Sequence, residues 1–281
     1  MFSLILALSL AYAGNGKEQI IIHRNGDNPH QIEKQALFSE WLGSPFYEEE
    51  ELNHLMEKVE KSISTSPINA SIDSQGVIKD GVNGYALNRT IFREVLLQTL
   101  YQEGTTWMEP EVTILYPRVN AELLASIRSK EVGAFVTHFR KNNLERTSNI
   151  VLAAEAINNT VVFPGETFSF NQTVGKRTKE RGYLPAPIIV KGELSEGIGG
   201  GICQVSSTLF NAVDQAGVQI IERYSHSRSV PYVKPGRDAT VSWYGPDFSF
   251  RNKNQQPLLI SAKVVEGSVV IRIYSSKEEE R

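Results

Sequence analysis

The single cysteine of this chain, Cys203, constrains how the chain can fold. With no second thiol, stapling by intramolecular disulfides is excluded. The length of 281 residues suits one large domain or two ordinary ones, and a composition with 41% hydrophobic and 22% charged residues is that of a globular protein. A net charge of −3 gives no general basic footprint, so we do not expect nucleic acid as a partner.

The first residues have the pattern of an export signal. Phe2 to Leu10 form a short apolar run, and Ala11-Tyr12-Ala13 matches the small-x-small pattern of a signal-peptidase site. Because the run is far shorter than the roughly 20 residues of a membrane helix, no stable membrane span is expected. We predict a signal peptide over residues 1–13 and an exported, periplasmic or envelope-associated protein. A buried N-terminal strand or a retained anchor is the alternative.

The remaining residues predict an α+β protein with two domains. After an N-terminal segment at 14–44, residues 45–130 have the pattern of a small α+β domain. Residues 135–275 predict a second domain, in which a helix packs on a mostly antiparallel sheet. Residues 276–281 form a charged tail.

Apolar periodicity and turn residues predict the individual elements. Helices are predicted at NPHQIEKQALFSEWLG, EEEELNHLMEKVEKSI, Thr90 to Gln102, NAELLASIRSK, the segment around Ile150, and the segment from Cys203 to Gly217. Strands are predicted at EQIIIHR, EVTILYPRV, VQIIERY, DATVSWYG, DFSFRN, PLLISAKVV and SVVIRIYS. The turn dipeptides of SPINASIDSQGVIKDGVNGYALN indicate a small antiparallel unit, and Glu266-Gly267 a compact turn.

Cys203 lies where a glycine-rich segment enters a predicted helix. The apolar face of that helix consists of Ile202, Val205, Leu209, Ala212, Val213 and Ala216. Cys203 projects about a quarter-turn from this face, where the helix dipole and free backbone N–H groups favour a thiolate and suit an oxyanion. Gly199, Gly200 and Gly201 would let a substrate carbonyl approach the backbone. The alternatives are a small, buried, unreactive cysteine and a cysteine that forms an intermolecular bridge.

A catalytic thiolate usually needs a base, and His226 is the candidate. It follows the predicted strand VQIIERY, and Asp238, twelve residues further on, could orient its imidazole. The alternatives are an ordinary hydrogen-bonded histidine and a normal turn at PGRDAT. Gln204 either assists the oxyanion or makes a plain hydrogen bond at the helix start.

The same segment does not predict a cofactor or a metal. A nucleotide-binding loop would end in Gly-Lys-Ser/Thr, whereas Cys203-Gln204 stands at that place. The ligand spacings of known zinc sites are also absent around Cys203 and His226. We therefore predict neither a cofactor nor a metal.

Four segments resemble the VanW family. They are RTSNIVLAAEAINNTVVFPGETFSFNQTVGKRTKERGY, GGGICQVSSTLFNA, ERYSHSRSVPYVKPGRDATVSW and DFSFRN, and the resemblance spans roughly Phe135 to Tyr274. Residues 60–125 more weakly resemble a peptidoglycan-binding domain that often precedes VanW domains. Because the family is linked to glycopeptide-resistance clusters and to exported bacterial proteins, the resemblance implies a cell-envelope role, with peptidoglycan or another cell-wall peptide or glycan as partner.

The resemblance also marks individual positions. The positions that match the family motifs are Cys203, Gln204, His226, Ser227 and Asp238. Ser227 and Arg228, which follow the candidate base, are candidate substrate contacts. The segment FVTHF has His138 where the family more often has Thr, so His138 is not carried over as a functional residue.

Two functions are consistent with these features. In the first, Cys203 attacks a peptide or amide bond as a hydrolase or acyltransferase, His226 relays the proton and Asp238 orients His226. In the second, the chain is a non-catalytic envelope binding or assembly module in which Cys203 is structural. Its stacking surfaces would be supplied by Tyr183, Tyr224, Tyr232, Trp243 and Tyr244.

Overall fold

The computed structural model describes residues 17–24, 30–41, 44–190 and 193–277. The predicted signal peptide and most of the predicted charged tail lie outside these residues. Within the described ranges, no helix is long and apolar enough to cross a membrane.

The described residues form helices, strands and two short 3-10 turns, which confirms the predicted α+β class. The helices are α1 (Glu49–Ile63), α2 (Arg89–Leu100), α3 (Ala121–Ile127), α4 (Leu144–Ile157), α5 (Phe170–Val174) and α6 (Ile202–Gln215). The 3-10 turns are Lys34–Leu37 and Lys179–Arg181. The strands are β1 (Gln19–Ile22), β2 (His30–Glu33), β3 (Phe38–Trp41), β4 (Ser44–Tyr47), β5 (Ser71–Ile72), β6 (Ile78–Lys79), β7 (Gly84–Leu87), β8 (Thr106–Met108), β9 (Val112–Leu115), β10 (Lys130–His138), β11 (Thr160–Val162), β12 (Thr167–Ser169), β13 (Pro185–Val190), β14 (Glu193–Ile198), β15 (Gln219–Glu222), β16 (Ser249–Arg251), β17 (Leu258–Val265) and β18 (Ser268–Ser275).

These elements belong to two compact units. The first consists of the described residues within Met1–Asn69 and Gly81–Arg118, and the second of those within Ala70–Asp80 and Val119–Arg281. Hairpin β5–β6 and helix α3, which fall in the predicted range 45–130, are therefore part of the second unit. The ranges 45–130 and 135–275 stay predictions as functional domains.

The first unit has a core under amphipathic helices. Strand β1 pairs antiparallel with β2 and parallel with β8. Helix α1 buries the predicted stripe of Leu52, Leu55, Met56 and Val59, while its first turn is acidic and exposed. The acidic run is thus the solvated start of a helix, at the end of the dipole that favours negative charge.

One predicted helix of this unit is wrong. The segment NPHQIEKQALFSEWLG contains β2, a 3-10 turn and β3. The pairing of β2 with β1, which sets Ile32 opposite Ile20, overrides the helical pattern. Asn28, Pro29, Leu42 and Gly43 of that segment lie outside the described residues.

The second unit is built on a four-stranded antiparallel sheet with the order β10-β18-β17-β11. Alternating residues of its strands face opposite sides. Leu258 and Ile260 of β17 face the core that contains the apolar sides of α4 and α6. Leu259, between them, packs with Leu124 and Ile127 of α3. A second antiparallel sheet, β12-β16-β15, and the hairpin β13–β14 complete the unit.

The structure confirms the predicted strands of this unit with one exception. The segment DATVSWYG is wrong as a strand, because it forms a loop with one bridge, from Thr240 to Tyr224. Strand β10 and the hairpin β13–β14 were not predicted. The predicted turn at Glu266-Gly267 joins β17 and β18.

Candidate active site

The glycine-rich segment positions Cys203 by close packing. Gly201 has φ +106° immediately before α6, and a Cβ there would lie 2.9 Å from Cγ of Arg146. A Cβ on Gly200 would lie 2.6 Å from the carbonyl group of Ala186. The glycines therefore let the start of α6 approach α4 and β13, and Cys203 becomes the second residue of the helix.

This packing changes the interpretation of the three glycines. Gly200 is buried, and its carbonyl accepts a hydrogen bond from Nδ2 of Asn149 at 3.0 Å. Gly200 thus has a packing role, and its predicted role as a substrate contact stays a prediction. Gly199 and Gly201 line the cavity described below.

Cys203, His226 and Asp238 come together in the structure. Nδ1 of His226 lies 2.6 Å from Oδ2 of Asp238, and the backbone N–H of His226 donates to the same oxygen at 2.6 Å. The side chains of His226 and Asp238 are only 6% and 8% exposed. Because Nδ1 is occupied by Asp238, Nε2 is the ring nitrogen left to interact with the Cys203 thiol, which lines the same cavity.

The charges of this triad reinforce one another. Burial raises the pKa of the Cys203 thiol, but the hydrogen bond and positive charge of His226 outweigh it, and the pKa lies below its ordinary value. Burial lowers the pKa of His226, but Cys203 and Asp238 raise it by more, so the pKa lies above its ordinary value. Burial raises the pKa of Asp238, but the His226 hydrogen bonds hold it below the usual range. The resting site thus favours a thiolate beside an imidazolium.

Polar side chains of α6 hold the loop that carries Asp238. The Ser206 hydroxyl donates to the carbonyl of Ala239 at 2.6 Å, and the N–H of Ala239 donates to the Ser207 hydroxyl at 2.9 Å. One turn further along, Nδ2 of Asn211 donates to the carbonyl of Arg237 at 2.7 Å. The helix that carries the thiol therefore also fixes the backbone on both sides of Asp238.

Gln204 has a structural function in this arrangement. Its amide nitrogen donates to Oγ1 of Thr137 at 2.9 Å and to the carbonyl of His138 at 3.1 Å. Its amide oxygen accepts from Nη2 of Arg146 at 2.7 Å. With both amide hydrogens engaged, Gln204 positions Arg146 and joins α6 to β10, and it has no side-chain hydrogen left for an oxyanion.

The sulfur of Cys203 borders a cavity of about 1100 Å³. It lies 3.8 Å from Oγ1 of Thr240 and 3.6 Å from the carbonyl oxygen of Val241. His226 also lines this cavity, so a substrate can reach the thiol and the base from the same side. In the described part of the chain, no group of three or more His, Cys, Asp and Glu residues is arranged to hold a metal ion.

The two residues after His226 lie apart from the sulfur. Ser227 is exposed and lines a smaller cavity of about 420 Å³ that also contacts His226. Arg228 is exposed and lines neither of these two cavities. Their predicted role as substrate contacts stays a prediction.

The comparisons with known proteins agree with this architecture. A family model for VanW like protein matches residues 145–274. Uncharacterized protein YoaR of Bacillus subtilis (strain 168) is 49% identical over 268 residues, which cover 95% of this chain and 88% of YoaR. The chain belongs to the VanW family. Vancomycin B-type resistance protein VanW of Enterococcus faecalis (strain ATCC 700802 / V583) is 30% identical over 135 residues, 46% of this chain and 49% of that protein. No solved structure matches the chain.

Sequence reasoning missed two arginines of the VanW domain. Arg146 and Arg177 both line the large cavity, and both lie close enough to Cys203 to interact with its charge. Both fall inside the longest segment that resembles the family, which is the signal that could have pointed to them. Arginine is mostly exposed in proteins, so its identity alone does not predict a place beside a thiol.

The aromatic residues that were predicted to stack on a ligand lie in three places. Tyr183 is 3% exposed and belongs to the hydrophobic core, so it cannot stack on a ligand and that assignment is wrong. Tyr224 borders the smaller cavity. The aromatic residues that line the large cavity are Phe139, Tyr232, Trp243 and Tyr244.

Proposed function

We propose that the VanW domain is a thiol-dependent acyl-transfer enzyme, a hydrolase or acyltransferase, that acts on peptide or amide bonds of peptidoglycan. The observation that carries this proposal is the His226–Asp238 hydrogen bond at the wall of an open cavity that Cys203 and His226 both line. The export pattern of the sequence and the vancomycin-resistance name of the enterococcal relative support a place in the cell envelope.

The reaction follows from the protonation states of the triad. The Cys203 thiolate attacks the carbonyl carbon, a C–S bond forms, and the carbonyl electron pair moves to the oxygen. When the tetrahedral intermediate collapses, the C–N bond breaks and His226 gives its Nε2 proton to the leaving amine. Water or a second amine then attacks the thioester, His226 accepts the proton of that nucleophile, and the thiolate leaves. Asp238 keeps the imidazole oriented throughout.

The start of α6 supplies the environment for the negatively charged oxygen. Cys203 is the second helical residue and no side chain caps the helix, so the positive end of the dipole lies at the reacting atom. The backbone N–H groups of Ile202 and Gln204 donate to the carbonyls of Gly199 and Gly201 at 3.3 and 3.0 Å, so we assign the contact with the oxyanion to the backbone N–H of Cys203. This stabilisation does not require the side chain of Gln204.

The test compares the wild-type chain with Cys203→Ala on purified peptidoglycan, with fragments and cross-links resolved by mass spectrometry. We expect Cys203→Ala to reduce turnover by about 10³-fold or more, as removal of a nucleophile does, while binding to peptidoglycan is retained. A Ser195→Ala variant is the control, because Ser195 is exposed and lines neither cavity, so the variant loses a hydroxyl but keeps the thiol and the contacts of the triad. Equal turnover by the wild type and Cys203→Ala would exclude covalent catalysis by this thiol.

A binding function is the second candidate, and the exposed aromatic residues of the cavity favour it. Trp243 and Tyr244 are 40% and 84% exposed, and Nζ of Lys176 lies 5.3 Å from the ring centre of Tyr244. Such rings provide flat surfaces for a sugar or a peptide. If the wild type binds peptidoglycan without altering it and Trp243→Ala abolishes that binding, the domain is a binding module.

A further inference from the structure

Two guanidinium groups lie beside the candidate nucleophile. Arg146 is in the first turn of α4, and Arg177 follows α5. Both border the large cavity, and the charge of Cys203 acts to raise the pKa of each. The proposed acyl transfer uses neither of them, so their presence needs a separate explanation.

The hydrogen-bond partners of these arginines in the described chain are neutral. Nη2 of Arg146 donates to Oε1 of Gln204 at 2.7 Å, and Nη2 of Arg177 donates to Oδ1 of Asn171 at 2.7 Å. Neither guanidinium forms an ion pair with a carboxylate of the described residues. Charges that are withdrawn from water are normally paired, so two half-buried guanidinium groups without a carboxylate partner at one site are unusual.

One atom of Arg177 is especially informative. Its Nη1 is buried and has no hydrogen-bond partner among the described residues. A buried donor without a partner is costly, so such atoms often mark a place where a ligand supplies the missing acceptor. Burial lowers the pKa of Arg177, and this effect outweighs the opposing influence of Tyr183, Cys203 and Asp247.

Apart from the Cys203 thiolate, the charged side chains on the wall of the cavity are cationic. Its basic residues are Arg140, Arg146, Lys176 and Arg177, and none of the described residues that line it is Asp or Glu. Asp247 is near enough to influence Arg177, but its carboxylate accepts hydrogen bonds from the backbone of Asn171 and Phe248 and from the Ser169 hydroxyl. The cavity is therefore complementary to an anion.

Arg177 is also held in a fixed orientation. Its guanidinium lies 5.9 Å from the ring centre of Phe170. Asn171, which accepts from Arg177, donates to the carbonyls of Ser242 and Pro246 at 2.9 and 3.1 Å. A guanidinium fixed in this way presents its free N–H groups at little entropic cost.

We propose that Arg177, assisted by Arg146, binds a carboxylate group of the substrate next to the bond that Cys203 attacks. This inference rests on the proposed acyl transfer and narrows its substrate class to peptides with a free carboxylate near the reacting carbonyl. A guanidinium matches a carboxylate through two parallel N–H···O bonds. The carboxylate could be the C-terminus of a peptide or an acidic side chain.

The first test uses two alkylating agents that differ only in charge. Iodoacetate carries a carboxylate and iodoacetamide a neutral amide, and with either reagent the sulfur of Cys203 forms a C–S bond while iodide leaves. Because Cys203 is the only cysteine, the mass of the full chain reports its modification directly. Both rates depend equally on the reactivity of the thiolate. The ratio of the iodoacetate rate to the iodoacetamide rate therefore measures carboxylate recognition alone.

We expect Arg177→Gln to lower the iodoacetate-to-iodoacetamide ratio by about tenfold, the loss typical of one charge-assisted hydrogen bond. Arg177→Lys keeps the positive charge, so its iodoacetate-to-iodoacetamide ratio should lie between those of the wild type and Arg177→Gln. The matched control is Arg251→Gln, because Arg251 is exposed and lines neither cavity. An unchanged ratio in Arg177→Gln overturns the proposal. An equal fall of both rates also overturns it, since Arg177 would then act on the thiolate alone.

The second test asks whether the carboxylate is a peptide C-terminus or an acidic side chain. It also distinguishes failure of the proposed carboxylate binding from failure of the proposed acyl transfer. Peptides that match a peptidoglycan stem, with either the C-terminus or the acidic side chain amidated, are bound to full-length Cys203→Ala and compared by calorimetry. The amidation that weakens binding identifies the carboxylate that Arg177 holds, and equal binding of all peptides overturns the inference. Carboxylate-dependent binding and alkylation without turnover by the wild type would instead refute only the proposed acyl transfer.

Discussion

Helices α1 and α6 have nearly the same length, 15 and 14 residues, but they differ in how many polar side chains they bury. Helix α1 buries five residues, all of them apolar, and its polar side chains face solvent or are half-buried. Helix α6 buries eleven residues, and five of these are polar: Gln204, Ser206, Ser207, Thr208 and Asn211. The first is an ordinary amphipathic helix. The second is a scaffold whose polar groups have partners in other elements.

The difference shows which parts of α6 serve the fold and which serve the site. Gln204 and Thr208 face β10, where both contact Thr137. Ser207 and Asn211 face the loop around Asp238. Since a buried polar group is tolerated when it is hydrogen-bonded, one helix can join the sheet, the thiol and the acid in a fixed geometry.

The largest effect is expected when the base beside α6 is removed. In His226→Gln, burial of the thiol is no longer outweighed by an imidazolium, so the pKa of Cys203 rises to or above that of a free thiol. A thiol with a pKa of about 8.5 is only a few per cent ionised at pH 7, so alkylation by iodoacetamide at pH 7 should slow by about 30-fold or more. The measurement is the alkylation rate as a function of pH.

The direction of the pH dependence makes this prediction specific. In the wild type the pKa of Cys203 is lowered, so reactivity persists below the ordinary pKa of a thiol and is lost only as the pH falls through that lowered value. In His226→Gln the midpoint moves to higher pH. The matched control is His54→Gln in α1, which removes an exposed histidine and should leave the pH profile unchanged. Identical midpoints for His226→Gln and the wild type would show that His226 does not ionise the thiol.

The sequence predicted the local features that depend on neighbouring residues. The helix after the glycines, the helix in NAELLASIRSK and the turn at Glu266-Gly267 are confirmed. The chain order and the family resemblance also pointed to His226 and Asp238 as partners of Cys203, and the structure brings these three together.

What could not be predicted depends on contacts between distant segments. DATVSWYG has the alternation of a strand, but the backbone of Ala239 is bonded to the hydroxyls of Ser206 and Ser207 instead of a neighbouring strand. The burial of Arg177 requires Asn171 and Phe170 to fold around it. Periodicity describes one element at a time and carries no information about such pairings.

The next largest effect is expected from Asn211→Leu. Asn211 is 2% exposed, its Nδ2 donates to the carbonyls of Ser207 and Arg237, and its Oδ1 accepts from Nε of Arg237 at 2.8 Å. Leucine has a similar size but leaves the groups of Arg237 without partners, so the free energy of unfolding should fall by about 2–4 kcal/mol. Urea unfolding followed by circular dichroism measures this loss. A change below about 0.5 kcal/mol, the range of ordinary surface substitutions, would show that the polar contacts of α6 are dispensable.

The smallest effect is expected from the same kind of substitution in α1. Glu57 is exposed on the solvent side of that helix, and Glu57→Leu replaces a polar side chain by leucine as Asn211→Leu does. No buried group loses a partner, and glutamate and leucine have similar helix propensities, so the free energy of unfolding should change by less than about 0.5 kcal/mol. The same urea experiment applies to both variants. If Glu57→Leu destabilised the protein as much as Asn211→Leu, the cost would come from placing leucine on a helix surface, and the contrast between an ordinary helix and a site-bearing one would lose its physical basis.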